Sequence, residues 1–293
     1  MTVVLVTGAA NGMGAATMEH LAALGYTVEG CDRAAAPGIA RVDVRDEEAV
    51  NGWVRDVHAR HGSIQAVVTF AAYGVVGAVE ETTPAEAAAL YDTNVLGTHR
   101  VLRAALPLLR ARGAGRVIVV SSGAGAVAEP YGGWYSATKA AVERIGEAAR
   151  MEAAGAGVHV SVLIPGWTVT PIVDTAVPVS RPIPVYDHDR AAVLNLVRGY
   201  LAAGQPASAV ARKVATILAA SRPRQTYLCG RDVRLSFWAR RFLPSRVYER
   251  MVRRYYGFGR SQDRKRRSAV VGHRRTSRWR SQNWVRPPSP RRM

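Results

Sequence analysis

Short β-branched runs alternate with Ala-rich stretches of helical period along most of the chain. Apolar runs stand at Val3–Val6, Thr27–Val28, Ala66–Phe70, Val117–Val120 and Val158–Ile164. Runs this short and this rich in Val and Ile predict strands buried on both faces. Between them, Gly14–Leu24, Glu47–Arg60, Ala85–Leu109, Trp134–Ala154 and Ala207–Ala220 carry apolar residues at helical spacing. The alternation predicts right-handed βαβ units and hence an α/β, doubly wound parallel sheet with helices on both faces. Ligands in such sheets bind at the carboxyl ends of the strands.

Two segments depart from the alternation. Thr170–Gln205 holds Pro171, Pro178, Pro182 and Pro184, then a short amphipathic piece near Ala191–Leu201. An insertion of this length after a strand end is expected to be a substrate lid. In Leu235–Tyr256, Leu235, Trp238, Phe242, Val247, Met251 and Tyr255 alternate with Arg240, Arg241, Arg250, Arg253 and Arg254. That pattern is open to two readings. One is a helix packed on the body with snorkelling arginines; the other is a membrane-surface or lipid-substrate contact. Past Gly257 the composition collapses to Arg, Ser, Pro and Trp, which predicts disorder over Arg260–Met293. One domain is therefore expected over residues 1–258, followed by a basic tail over 259–293.

Charge sharpens this division. Residues 1–230 hold 20 Lys+Arg against 19 Asp+Glu, a balance of +1; residues 231–293 hold 20 against 3, a balance of +17. Arguments from the basic isoelectric point apply to the tail and not to the body. Trp279 and Trp284 among Arg274, Arg275, Arg278, Arg280 and Arg286 suit either a single-stranded nucleic acid or an anionic membrane surface, or form an extension without function. Two cysteines, Cys31 and Cys229, exclude a disulfide-stapled scaffold and read as buried reduced thiols. No run of about eighteen apolar residues escapes interruption by charge, Gly or Pro. The start at Met1-Thr2-Val3 has no basic n-region, and cytoplasmic residence is expected.

Candidate chemistry falls at strand ends. Thr7-Gly8-Ala9-Ala10-Asn11-Gly12-Met13-Gly14 follows the first strand and opens a helix. Glycines there allow a tight turn and a close approach to a pyrophosphate, and the helix N-terminus offers N–H groups to it. Asp32 ends the second strand, where a carboxylate accepts from both ribose hydroxyls of NAD and repels the 2′-phosphate of NADP. The adjacent Arg33 can tolerate that phosphate, but no Lys or Arg lies in the turn itself, so NAD(H) is favoured over NADP(H). Tyr135 and Lys139 lie at i and i+4 on one helix face. A phenol titrates at about 10, and a neighbouring ammonium favours its phenolate form. Ser122 ends the Val117–Val120 strand, where its hydroxyl can hold a substrate oxygen, and Asn94 can orient Lys139 through water.

Together these residues resemble the short-chain dehydrogenase/reductase family over about residues 2–256. The matching elements are Thr7–Gly14, Asp32, Asp43-Val44, Asn94, Ser122, Tyr135-x-x-x-Lys139 and Pro165-Gly166-Trp167-Thr168-Val169-Thr170. The resemblance implies a three-layer Rossmann-like fold, a homodimer or homotetramer, and a role for each residue. Tyr135 would be the general acid/base and Ser122 would position the reacting oxygen. Lys139 would bind the nicotinamide ribose and lower the phenol pKa, and Asn94 would hold a relay water. Gly8, Asn11, Gly12, Met13 and Gly14 would cradle the phosphates, Asp32 the adenosine ribose, Asp43 and Val44 the adenine. Ala71 would approach the cofactor, and Ile164 to Thr170, including Pro165, Gly166, Thr168 and Thr170, would frame the nicotinamide. One departure stands out. Thr69-Phe70-Ala71-Ala72 replaces the usual Asn-Asn-Ala-Gly, and the lost Asn removes a side-chain tie between strands near the cofactor.

The remaining candidates are weaker. His58 and His61 read as a solvated helix face, His159 as structural, and Asp187-His188-Asp189 lacks further ligands nearby, so no metal is expected. Trp134 can line the substrate pocket or belong to the core. The expected function is NAD(H)-dependent interconversion of an alcohol and a ketone or aldehyde on a hydrophobic small molecule of steroid, retinoid, fatty or polyketide type. The competing expectation is a non-catalytic scaffold whose tail binds nucleic acid or a membrane.

Overall fold

The computed structural model describes residues 2–258. The basic segment from 259 onward, with the tail expectations attached to it, lies outside the described residues. Seven parallel strands form the main sheet: β1 (Val3–Thr7), β2 (Thr27–Asp32), β3 (Ile39–Arg41), β4 (Ala66–Thr69), β6 (Gly115–Val120), β7 (Val158–Pro165) and β9 (Thr226–Cys229). Their order is β3-β2-β1-β4-β6-β7-β9, so the direction of winding reverses between β1 and β4. The helices are α1 (Gly12–Ala23), α2 (Glu47–His61), α3 (Pro84–Tyr91), α4 (Thr98–Ala111), α5 (Gly123–Ala126), α6 (Gly133–Ala153), α7 (Asp187–Ala202), α8 (Ala207–Ala219), α9 (Arg231–Phe242) and α10 (Ser245–Tyr255).

Strand alternation divides the core into two layers. Val3 and Leu5 of β1, with Val67, Val117, Val119 and Val160, point toward α2, α4 and α6, where Val50, Trp53, Val57, Leu102, Leu109 and Val142 meet them. Val4 and Val6, with Val68, Ile118, Val120 and Leu163, point the other way, toward Leu21 of α1 and Val210, Val214 and Ile217 of α8. Burial on both faces is what selects continuous rather than alternating apolar strands. Both cysteines are buried free thiols, and burial raises the pKa of each.

Four parts of the chain differ from the sequence expectation. The strands β3 and β9 are only three and four residues long and carry Arg41, Thr226 and Tyr227 in place of an apolar run, so pattern alone did not mark them. The expected helix Ala85–Leu109 is broken by a wide π turn at Asp92–Gly97. Expected Leu235–Tyr256 is two helices separated at Leu243 and Pro244, because Pro cannot continue the ladder. The boundary between the two compact units of the chain falls between Tyr248 and Glu249. Among the described residues, no helix is long and apolar enough to cross a membrane.

Candidate active site

A cleft opens where β1, β2 and β4 end, beside the winding reversal. The glycine turn, Asp32, Val44 and Ala71 line it together with Thr170. Gly8 adopts φ 68°, and a Cβ there would stand 2.7 Å from the Ala71 nitrogen. A Cβ on Gly14 would stand 2.0 Å from the Gly8 carbonyl oxygen. The turn therefore closes on itself at distances only glycine permits. α1 starts at Gly12 with no side-chain cap from Asn11 and no acidic residue in its first turn. Its leading N–H groups lack intrahelical acceptors and are left for an anionic ligand. This cradle fits the diphosphate of a dinucleotide.

The adenosine end is more charged than expected. Asp32 accepts hydrogen bonds from the Ala10 and Ala34 backbone N–H groups at 3.1 and 3.0 Å, which fixes its carboxylate at the strand end. Asp43 does not stand free. The Arg45 guanidinium grips it at 2.6 Å, and this holds its carboxyl below the usual range. Arg33 and Arg45 both line the cleft, as do Tyr73 and Thr93. Of these, Arg45 and Tyr73 escaped the sequence reading. Arg45 had a signal in the Asp43-x-Arg45 turn, where the Arg45 N–H donates to the Asp43 carboxylate at 2.9 Å.

The acid/base group sits at the end of β6. Ser122 caps α5, its Oγ accepting from the Ala124 N–H at 3.2 Å. Burial raises the phenol pKa of Tyr135, the Glu129 carboxylate adds to the rise, and the neighbouring Ser122 hydroxyl opposes it. Lys139 Nζ donates to the Val120 carbonyl oxygen at 3.2 Å and lies 5.8 Å from the centre of the Tyr135 ring. Burial lowers the lysine to about 8 against the opposing pull of Glu143. Burial and Glu129 thus act against the phenolate that a neighbouring ammonium favours.

Asn94 lies in the π turn and is buried. Its amide is fully used locally: Oδ1 accepts from the Tyr73 N–H at 3.0 Å, and Nδ2 donates to the Tyr73 carbonyl and to Thr138 Oγ1 at 2.9 and 3.0 Å. Its side chain thus fixes the loop after β4 against α6. Pro165, Gly166 and Thr168 lie on the β7 exit, outside the cleft lining, where Gln205 Nε2 donates to Thr168 Oγ1 at 3.2 Å. In the segment that departs from the family pattern, the Ala71 N–H donates to Thr7 Oγ1 at 3.2 Å, and the buried Thr69 hydroxyl has no partner.

An apolar patch borders Tyr135. Val75, Leu90 and Val179 cluster with Tyr73, Trp134 and the Tyr135 ring itself. Val179 belongs to the 170–205 segment, which is latched to the loop before α3. A two-rung parallel ladder joins β5 (Val75–Val76) to β8 (Val177–Pro178). Glu86 accepts from the Ser180 N–H at 2.7 Å, and Glu81 accepts from the Ile183 N–H at 2.7 Å and pairs with Arg190. Tyr186 donates to Glu80. Burial raises the Glu81 pKa, but the Ala78, Ile183 and Arg190 hydrogen bonds outweigh it and leave the group below its ordinary value. Glu86 is pushed down to about 2, chiefly by the Thr83 backbone N–H.

Two of the other histidine candidates find local partners, whereas His58, expected on a solvated face, has a buried Nδ1 with no partner. His61 Nε2 lies 2.7 Å from Glu29, and His188 Nδ1 lies 3.2 Å from Asp189. Burial and the nearby Arg116 and Arg150 lower the His159 pKa.

Known proteins share this fold. The family model for the short chain dehydrogenases matches residues 2–179. A 3-ketodihydrosphingosine reductase of Bacteroides thetaiotaomicron is 32% identical over 169 residues, 56% of this chain and 63% of that protein. The chain thus spans under two thirds of that relative. A short-chain dehydrogenase from Streptomyces avermitilis has TM-score 0.72 at 31% identity, covering 81% of this chain and 91% of that one. A short chain dehydrogenase/reductase from Burkholderia phymatum in complex with NAD shares the fold, with TM-score 0.71 at 23% identity over 82% and 92% of the two chains. The cradle, the strand-end serine and the Tyr135–Lys139 pair thus stand on a scaffold common to these proteins, and the chain belongs to the short-chain dehydrogenase family.

Proposed function

We propose that residues 1–258 form an NAD(H)-dependent oxidoreductase domain that interconverts an alcohol and a ketone or aldehyde on a hydrophobic small molecule. The observation that carries this reading is the grouping of Ser122 and Tyr135 at the end of β6, with Lys139 one helical turn from the phenol, next to a glycine cradle. Tyr73 borders both places, since it lines the cleft and packs with Tyr135. The bound dinucleotide supplies the hydride acceptor or donor.

The chain's own residues handle the proton. In the reductive direction the Tyr135 hydroxyl gives its proton to the substrate oxygen, a role suited to a phenol that burial keeps protonated. Ser122 donates to the same oxygen as negative charge builds on it. Lys139, at about 8, is an ammonium at neutral pH. Its charge lowers the cost of the phenolate left behind, and it can hold the nicotinamide ribose. Asp32 favours NAD(H), because its fixed carboxylate would face a 2′-phosphate. Apolar Val75, Leu90, Val179 and Trp134 beside Tyr135 support a hydrophobic substrate. The Bacteroides relative is named as a reductase of a 3-keto compound, the same reaction type. A homodimer or homotetramer in the cytoplasm belongs to the same proposal.

The test is a screen of hydrophobic alcohols and ketones followed by NADH absorbance. Tyr135→Phe is expected to lower turnover at least ~100-fold with an unchanged melting temperature. Near-normal turnover in that variant would overturn the assignment.

A further inference from the structure

The exposed edge of α9 has a composition and charge that the dehydrogenase site does not use. One side of this helix is core: Val233 and Phe237 pack against Val162, Ile164 and Leu228. Leu235, Trp238 and Phe242, at i, i+3 and i+7, line the opposite side. Their exposures are 72%, 52% and 74%, and Leu243 just beyond is 37% exposed. The Trp238 and Phe242 rings stack at 5.6 Å, so the edge is a continuous apolar ridge. Arg231, Arg234, Arg240 and Arg241 lie on the same helix, and Arg246 follows on α10. The sole acid of residues 231–248 is Asp232, and its carboxylate is engaged by the Trp167 N–H at 2.7 Å.

We propose that α9 lays the Leu235–Trp238–Phe242 ridge into the surface of an anionic phospholipid membrane. Charge complementarity selects this occupant. Residues 1–230 are near-neutral, whereas residues 231–248, which hold the ridge, carry five arginines against one aspartate. A helix with bulky apolar side chains on one edge and arginines flanking them buries the former at the headgroup boundary and pairs the latter with lipid phosphates. Leu235 and Phe242 gain nothing from a phosphodiester backbone, which favours lipid over nucleic acid. Trp suits the interface because its ring is apolar and its N–H finds water or headgroups.

Full-length protein is mixed with phosphatidylcholine vesicles, with and without phosphatidylglycerol, and sedimented. Binding is expected to vesicles containing phosphatidylglycerol, weakening as salt rises. The double variant W238E/F242E should bind at least ~10-fold more weakly with unchanged melting temperature, and Leu235→Asn should show a smaller loss in the same direction. Any of four outcomes overturns the proposal. These are no binding by the wild type, equal binding to the neutral vesicles, undiminished binding by the double variant, or an oligomer that the double variant disperses. A single-stranded oligonucleotide that competes the protein off vesicles, and whose own binding falls equally in the double variant, assigns the ridge to nucleic acid instead.

Discussion

The Ser121 hydroxyl donates to Glu143 Oε1 at 2.7 Å, behind the Tyr135–Lys139 pair. The same hydroxyl lies 3.0 Å from the Lys139 carbonyl oxygen, so Ser121 joins two consecutive turns of α6 to the end of β6. Glu143 is buried, and burial raises its pKa; its negative charge in turn raises that of Lys139. Glu143→Gln keeps an acceptor for Ser121 but removes the charge. Lys139 should then titrate below about 8, and activity should be lost at lower pH on the basic side. A profile of kcat/KM against pH checks this; an unmoved basic limb would separate Glu143 from the lysine.

The lid latch should be measurable as stability. Glu81 is 2% exposed and holds the Ala78 and Ile183 N–H groups together with Arg190. Glu81→Gln takes from Arg190 one of its two carboxylate partners, leaving Asp187, and should cost about 2 kcal/mol in a denaturant titration. If the latch also shapes the substrate wall, KM should rise more than kcat falls.

The same carboxylates set an acid limit. Glu81 and Glu86 both have lowered pKa values in the folded chain, Glu86 to about 2 against an ordinary 4.5. A lowered folded pKa contributes stability that is complete above the unfolded value and disappears as pH falls through the folded one. The latch contribution should therefore be constant near neutrality and fade between about 4.5 and 2. Melting curves of wild type and Glu86→Gln should converge at the acid end of that window.

Asp32 tests the choice of coenzyme. Charge-assisted hydrogen bonds are worth about 1.5–3 kcal/mol, so Asp32→Ala should lose roughly ten- to a hundredfold in kcat/KM with NAD(H). Arg33 and Arg45, already in the cleft, should then support NADP(H). A wild type that prefers NADP(H) would reverse the cofactor assignment.

Thr69 carries a buried hydroxyl with no partner in the protein. Thr69→Val removes that orphan at nearly constant shape and should stabilise the fold by about 1 kcal/mol, read as a higher Tm.

The parts legible in the sequence are those whose physics is local. Val3–Val6 and Val117–Val120 are apolar on both faces, the glycine turn follows the first, and Tyr135 and Lys139 share a helix face by spacing alone. The parts that escaped are set by distant partners. β9 is a strand because β7 offers Val162 to Pro165 as a ladder, not because Thr226–Cys229 has a strand pattern. The Asn94 turn opens because its amide finds Tyr73, 21 residues away, and no period in residues 85–109 encodes that meeting. Glu81 draws its partners Ile183 and Arg190 from the 170–205 segment, a hundred residues on, which no local pattern marks.

Gly166 gives the end of β7 an unusual neighbour. A Cβ at that position would stand 2.2 Å from Asp232, so the carboxylate at the start of α9 occupies the space a side chain would need. With the Trp167 N–H bonded to that carboxylate, α9 is tethered to the stretch leading to Thr170 at the cleft. The helix cannot tilt on its seat without straining this tether. A load applied to the outer edge of α9 reaches Trp167, three residues before Thr170 in the wall of the cleft.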